Sequence, residues 1–145
     1  MPADITDLFD ALYKRYALFR GDRDAYTLTG GRFHRAQAPS PTVFPCIVAV
    51  QMGGSIGEMF SGDSLETATL QTSVFAKFKN DASTASAIMR SLAAIYNRCT
   101  LVIPEDEAFV SILREGLPRE SVENGTHIHI AQDWAITRHI PKWRP

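Results

Sequence analysis

The sequence has few cysteines, no long apolar run and no excess of basic charge. Its 145 residues include two cysteines, Cys46 and Cys99, and no CxxC pair. Both cysteines lie in apolar stretches, so we expect two buried free thiols in a reducing compartment. No stretch approaches ~18 apolar residues, and the first residues lack the apolar run of a signal peptide, so we expect no membrane partner. The formal net charge of −1 is not the basic excess that general nucleic-acid binding requires.

Catalytic and phosphate-binding motifs are also missing. The Gly-rich segment from Gly53 lacks the Lys-Ser/Thr pair of a P-loop, and a strand is predicted after it where a P-loop has a helix. The segment SGDS does not match the nucleophile elbow GxSxG. Apolar surroundings disfavour a reactive thiol at either cysteine. We therefore predict no enzymatic activity, no catalytic residues and no cofactor.

The chain length and composition favour one globular domain, residues 1–145. A domain of this size buries roughly 68–70% of its unfolded surface, so it needs no disulfide or metal to hold a core. Hydrophobic residues make up 45% and charged residues 21% of the chain, which is an ordinary globular mixture. A chain so close to neutral has little charge repulsion against association, which favours an oligomer.

Apolar residues at spacings of three and four predict two helices, one from Asp4 to about Arg20 and one over residues 80–99. Strands are predicted over 32–38, 43–52 and 65–78, with TLVIP as a short strand or linker. Four glycines in ten residues predict a flexible loop or hairpin tip over Gly53–Ser64. If that loop is a hairpin, the strands on its two sides pair antiparallel.

Two further strands are predicted to close the chain. They are joined at Asn124-Gly125, a pair that favours a two-residue type I′ turn, and Gly116 and Pro118 indicate a bulge in the first of them. A two-residue turn would place Glu120 opposite His129. The element order α-β-β-β-α-β-β predicts an α+β fold, an antiparallel sheet with two helices packed on one face.

Three of the four histidines lie in the last predicted strand. His127, His129, Asp133 and His139 share one face of that strand because side chains alternate along it. Imidazole and carboxylate groups on one face suit zinc or iron. At ~3.3 Å per residue, however, only His127 and His129 lie close enough, roughly 7 Å apart, to share one ion. In the alternative interpretation this is an ordinary strand with one face buried against the helices and the histidines on its outer face. The residues of the buried face are Ile128, Ile130, Trp134 and Ile136.

The order and character of these segments resemble the tail-terminator, or tail-completion, proteins of long-tailed bacteriophages. The similarity covers nearly the whole chain and rests on patterns of residues and not on catalytic groups. It departs at Cys46, where an aromatic residue is expected. The matching segments are ITDLFDALYKRY, FPCIVAVQM, the Gly-rich loop, LQTSVFAKF, ASAIMRSLAAIYN and the closing DWAITRHI.

The resemblance implies a structural virion protein that forms a hexameric ring at the head-proximal end of the tail, assembled in the host cytoplasm. Such a ring caps the tail tube, ends tube polymerisation and joins the tail to the head connector or stopper protein. The genome DNA passes through the lumen without specific binding. We expect the ring contacts to include exposed apolar residues and the outer-face histidines, namely Ile56, Met59, Phe60, His127, His129 and Trp143. The alternatives are a small metal-dependent enzyme and a ligand-binding α+β module, each using the strand face of His127 and His129.

Overall fold

A computed structural model describes residues 5–38, 43–58, 64–103, 108–123 and 125–140. Within these ranges the chain forms three helices and six strands. None of the helices there has the length and hydropathy needed to cross a membrane. In chain order the elements are α1 (Ile5–Leu18), α2 (Ala25–Thr29), β1 (Phe33–Arg35), β2 (Cys46–Glu58), β3 (Ser64–Lys77), α3 (Phe78–Tyr96), β4 (Thr100–Ile103), β5 (Ala108–Glu123) and β6 (His127–Ile140).

The six strands form one sheet in the order β1-β2-β3-β6-β5-β4. Four neighbouring pairs are antiparallel, whereas the three-residue β1 runs parallel to β2. The α+β class predicted from the sequence is confirmed. The sheet is mixed because β1, which follows the short helix α2, lies beside β2 and runs in the same direction. The predicted element list lacked α2, and TLVI proves to be a strand.

The core lies between the helices and one face of the sheet. The predicted apolar stripe of α3 is buried in it, with Ala85, Ile88 and Leu92 wholly inaccessible and Ile95 nearly so. The hydroxyl of Tyr96 on α3 donates to the carbonyl oxygen of Leu12 on α1 over 2.6 Å, which ties the two helices together. Trp134, at the centre of β6, is completely buried.

The Gly-rich segment differs from its prediction. Residues 53–58 continue β2, paired residue by residue with the start of β3 from Gly54–Ala68 to Glu58–Ser64. A single register shift between Met52 and Gly54 marks a bulge at Gly53. The expected loop was wrong over these residues because a strand partner supplies the hydrogen bonds that offset the glycines' low strand propensity. Residues 59–63 of the predicted loop lie outside the described residues.

The last hairpin has a different register from the predicted one. Glu123 pairs with His127 and Ser121 with His129, so three residues lie in the turn and Glu120 is not opposite His129. Within the turn, Thr126 N donates to Glu123 O over 3.1 Å and Gly125 has a φ of +64°. Asn124 itself lies outside the described residues. The expected two-residue turn was wrong because a three-residue loop with glycine in the left-handed region also suits this sequence.

The predicted bulge in β5 is confirmed. Glu115 pairs with Asp133 and Arg119 pairs with Ala131, so three residues of β5 stand opposite Gln132 alone. Gly116 has a φ of +74°. The amide of Gln132 donates to the carbonyl oxygens of Glu115 and Gly116, each over 3.2 Å. One buried glutamine therefore satisfies backbone acceptors that the interrupted ladder leaves without a strand partner.

Candidate functional site

The sheet face turned away from the helices, called the outer face here, carries most of the polar side chains of β6. As predicted, alternate residues of β6 divide between the two faces. The core side takes Ile128, Ile130, Trp134 and Ile136, all buried. On the outer face, His127, His129 and Asp133 are half-buried, so they are partly covered by their neighbours.

Glu123 joins the two histidines. Its carboxylate oxygens lie 3.1 Å from Nε2 of His127 and 3.0 Å from Nδ1 of His129. An ionised carboxylate only accepts hydrogen bonds, so both of these ring nitrogens carry the proton. Nδ1 of His127 lies 3.1 Å from the hydroxyl of Thr126, the last residue of the turn. The three-residue turn thus places a carboxylate between two imidazoles.

Aromatic rings flank both imidazoles. Phe75 of β3 stacks on His129, with ring centroids 4.4 Å apart and planes 16° apart. Phe44, just before β2, stacks on His127 with centroids 5.4 Å apart. The Nε2 atom of His129 is buried and has no hydrogen-bond partner among the described residues. These stacks hold the rings in the orientation that Glu123 requires.

The electrostatic effect of this arrangement falls on Glu123. Hydrogen bonds from His127 and His129 lower the pKa of its carboxyl below the ordinary value of 4.5, against a smaller effect of burial. The Glu123 side chain is 44% exposed. Solvent therefore screens the interaction, and its contribution to folding is below about 1 kcal/mol.

The arrangement gives no support to a metal site. Among the described residues, no group of three or more His, Cys, Asp or Glu side chains is placed to hold a metal ion. The fourth histidine, His34 of β1, pairs with Val48 of β2 and so lies three strands from β6, about 14 Å across the sheet. Asp133 belongs to a separate cluster with Arg119.

That second cluster crosses three strands. Arg119 of β5 forms a two-pronged contact with Asp133 of β6, with nitrogen–oxygen distances of 3.1 and 3.2 Å. Gln71 of β3 donates to the same carboxylate over 3.3 Å. These hydrogen bonds lower the pKa of the Asp133 carboxyl below its ordinary range, and the bonds from Arg119 have the largest effect. The planar guanidinium fixes the orientation of the carboxylate across the sheet.

Beyond Asp133, towards the end of β6, the outer face forms a groove of about 410 Å³. Small residues make its floor, which extends across four strands. Three apolar side chains close to it are exposed: Met52 by 47%, Leu65 by 38% and Leu113 by 52%. Met52 pairs with Thr69 and Leu113 with Ala135, both groove residues. The lining residues include Gly53, Thr67, Thr69, Glu115, Ala135 and Thr137.

Only some of the interface residues predicted from the sequence lie among the described residues. His127 and His129 lie together on the outer face. Ile56 lies in β2, where only the backbone is described, and Met59, Phe60 and Trp143 lie outside the described residues. Sequence reasoning missed Glu123 because it rested on the wrong turn length. It also missed the groove, whose small Thr and Ala residues carry no periodic signal.

The fold is a two-layer α+β arrangement, a mixed six-stranded sheet with helices on one face. This fold is similar to that of a chain described as "Virion of native gene transfer agent (GTA) particle", with a TM-score of 0.68. The similarity covers 91% of this chain and 94% of that chain, at 16% sequence identity. No family model and no curated protein matches the sequence. At this identity the similarity shows a shared fold.

Proposed function

We propose that this chain is a structural protein of a phage-like virion. Within the virion it forms the ring that caps the tail tube, ends tube polymerisation and joins the tail to the head connector. The observation that carries the proposal is the shared fold, over 91% of this chain, with a chain of a gene transfer agent virion. The sequence pattern of the tail terminators supports the same role independently.

A ring subunit needs two different surfaces that meet head to tail and close by rotation. The outer face has the composition of such a surface. Its exposed apolar residues Met52, Leu65 and Leu113 surround a groove, and the polar clusters around Glu123 and Asp133 lie beyond it. Apolar side chains beside oriented polar groups are typical of protein–protein contacts.

The partners follow from the position of the ring. One ring face meets the last ring of the tail tube protein, and the other meets the head connector or stopper protein. The ring is a homo-oligomer of six copies, and the genome DNA passes through it without sequence-specific contacts. We include Ile56, Met59, Phe60, His127, His129 and Trp143 in the contact surfaces.

The experiment is native mass spectrometry of the purified protein, combined with negative-stain images alone and with tail tubes. The tubes are assembled from the tail tube protein of the same virion. We expect rings with a hole wide enough for a DNA duplex, and rings bound at one end of each tube. Tubes whose ends stay bare, and whose growth continues in the presence of this chain, would contradict the proposal.

Matched variants test which surface makes the contact. Leu113→Ser on the outer face should weaken ring formation at least tenfold, as burial of one leucine contributes about 1.5–3 kcal/mol. Leu18→Ser, at the end of α1 where the leucine is 76% exposed, should leave ring formation unchanged. Replacing Ile56, Met59 and Phe60 together should leave a folded monomer that forms no rings. Rings unchanged in size and stability would remove these residues from the contact.

The groove also favours a second candidate, a ligand-binding module that uses the outer face. Its volume of about 410 Å³ is within the range of small-molecule sites, but it is an open groove and not an enclosed cavity. Light scattering separates the two candidates. A monomer at every protein concentration, with no binding to tube ends, would favour the module over the ring.

A further inference from the structure

Two strands of the sheet have edges that are covered over only part of their length. The short β1 pairs with β2 at Ile47–Ala49, and β4 pairs with β5 at Ala108–Ser111. Within the described residues, no strand lies beside β2 from Val50 to Glu58, or beside β5 from Arg119 to Glu123, on the side away from the sheet. We call these two segments the β2 edge and the β5 edge.

The backbone groups that point outward from the β2 edge follow from the hydrogen bonds to the β1 side. Ile47 N donates to Arg32 O over 3.0 Å, and Ala36 N donates to Ala49 O over 2.8 Å. Ile47 and Ala49 therefore face β1, and by alternation Gln51 faces the same way. The one-residue bulge at Gly53 shifts the alternation of outward-facing and inward-facing residues by one position. The outward residues beyond it are Gly54, Ile56 and Glu58.

The same reasoning applies to the β5 edge. Ile112 N donates to Cys99 O over 3.0 Å, and Arg98 N donates to Ile112 O over 2.8 Å, so Ile112 faces the β4 side. The bulge adds two residues to β5, which preserves the alternation. Glu120 and Val122 therefore present their backbone N–H and C=O groups outward.

The two edges differ in how well they are protected from pairing. Strand edges in natural proteins usually carry lysine, proline or other charged residues that discourage pairing with another chain. The β2 edge, VQMGGSIGE, has neither lysine nor proline, and its single charged residue is Glu58 at the end. The β5 edge follows Pro118 and carries Arg119, Glu120 and Glu123. The β2 edge thus has the character of a strand that another strand covers in the working state.

The positions of the two edges complement each other. The register places Gly54 level with Ile112 and Ser121 level with Cys46, so the free edges lie at opposite ends of the sheet. They are offset by about eight residues, or ~26 Å along the strands. If a second copy slides by that offset, its β5 edge lies beside the β2 edge of the first. The strands β1 and β4 then lie beyond the ends of the joined segments and do not obstruct them.

We propose that the β2 edge of one copy pairs antiparallel with the β5 edge of a second copy, so that one sheet continues from subunit to subunit. The direction follows because β2 and β5 run opposite ways in the sheet. The contact is heterologous, so its repetition closes a ring when the rotation allows it. A closed ring of tilted strands needs a slide of this kind between neighbours. This inference rests on the proposed ring and adds the surface that closes it.

Proline variants test the pairing, because proline removes an N–H donor. Gly54→Pro and Glu120→Pro each remove an outward donor, whereas the bonds within the chain stay intact. Val102→Pro is the matched control, since alternation places the N–H of Val102 on the outer side of β4, away from both edges. We expect the first two variants to fold, by circular dichroism, and to form no rings. The control should form rings of wild-type size.

Hydrogen exchange provides a readout that needs no variant. At this offset Glu120 lies beside Ile56 and Val122 beside Gly54 of the neighbouring copy. In rings, the amides of these four residues should exchange at least about tenfold more slowly than in the monomer. Rings of normal size from Gly54→Pro, or rapid exchange at the β2 edge within rings, would overturn the pairing. Protection of the β2 edge alone would overturn the β5 edge as its partner.

The failure of this inference is distinguishable from that of the proposed function. Rings that cap tail tubes without protection of the β2 edge overturn the strand pairing and leave the capping role intact. Tube ends that stay bare overturn the capping role. Protection of both edges in rings that bind no tube would support the pairing alone.

Discussion

The indole Nε1–H of Trp134 donates a hydrogen bond to the hydroxyl of Thr72 over 2.9 Å, and both residues are completely buried. The bond crosses from β6 to β3 at the centre of the core. Thr72→Val keeps the shape of the side chain but leaves a buried donor without its partner. We expect the free energy of unfolding to fall by about 1–3 kcal/mol.

Urea denaturation monitored by tryptophan fluorescence measures this change. Thr69→Val, on the same strand but on the half-buried outer face, is the control and should change stability by less than about 0.5 kcal/mol. Equal stabilities for the wild type and Thr72→Val would mean that the indole finds another acceptor.

A second prediction concerns acid. The pKa of Glu123 is lowered in the folded protein, so its contribution to stability is present above the ordinary value of 4.5 and is lost as pH falls through the lower folded value. Glu123→Gln should therefore cost up to about 1 kcal/mol at neutral pH. The difference from wild type should shrink as the pH is lowered below 4.5.

Unfolding free energies measured from neutral pH to pH ~3 test this sign. Glu120→Gln, at an exposed residue on the same strand, removes a carboxylate that pairs with Ile130 and not with a histidine, and it serves as the control. A Glu123→Gln variant whose difference from wild type grows as the pH falls below 4.5 would contradict the hydrogen-bonded carboxylate. Asp133, whose pKa is also lowered, contributes to the remaining acid sensitivity of both proteins.

The two bulges provide a matched pair of glycines. Neither Gly53 nor Gly116 has an atom within 4 Å of the position that a Cβ would take, but only Gly116 has a positive φ, +74°. Gly116→Ala should destabilise the fold by about 1 kcal/mol or more because of backbone strain. Gly53→Ala should be neutral or slightly stabilising. Thermal unfolding of the two variants side by side decides the matter, and equal losses would show that the positive φ is not what requires glycine at position 116.

Sequence reasoning succeeded where a period was long enough to read. The alternation of β6 correctly assigned Ile128, Ile130, Trp134 and Ile136 to the core and both histidines to the outer face. The spacing of apolar residues in α3 correctly predicted which side of the helix is buried. These patterns are local, and each spans several repeats of its own period.

The failures have a common physical cause, which is that the deciding partner is distant in sequence. Residues 53–58 extend as a strand because β3 lies beside them, and the glycines alone predict a loop. The helix α2, at five residues, is too short to show a period. The pair Asn-Gly suits turns of both two and three residues. The difference of one residue in turn length decides whether Glu123 or Glu120 lies beside the histidines.

The bulge in β5 has a consequence for how the length of this segment can change. Deleting Leu117 and Pro118 together would leave Gly116 alone opposite Gln132, so that Arg119 to Glu123 keep their partners and their faces. Deleting Leu117 alone would leave one extra residue, as at Gly53 in β2, and the carboxylate of Glu123 stays beside the histidines only where that residue forms a one-residue bulge. The double deletion should therefore keep the acid-dependent stability, as pH-dependent unfolding would show. The bulge is spare length that this strand can lose without moving its charged end.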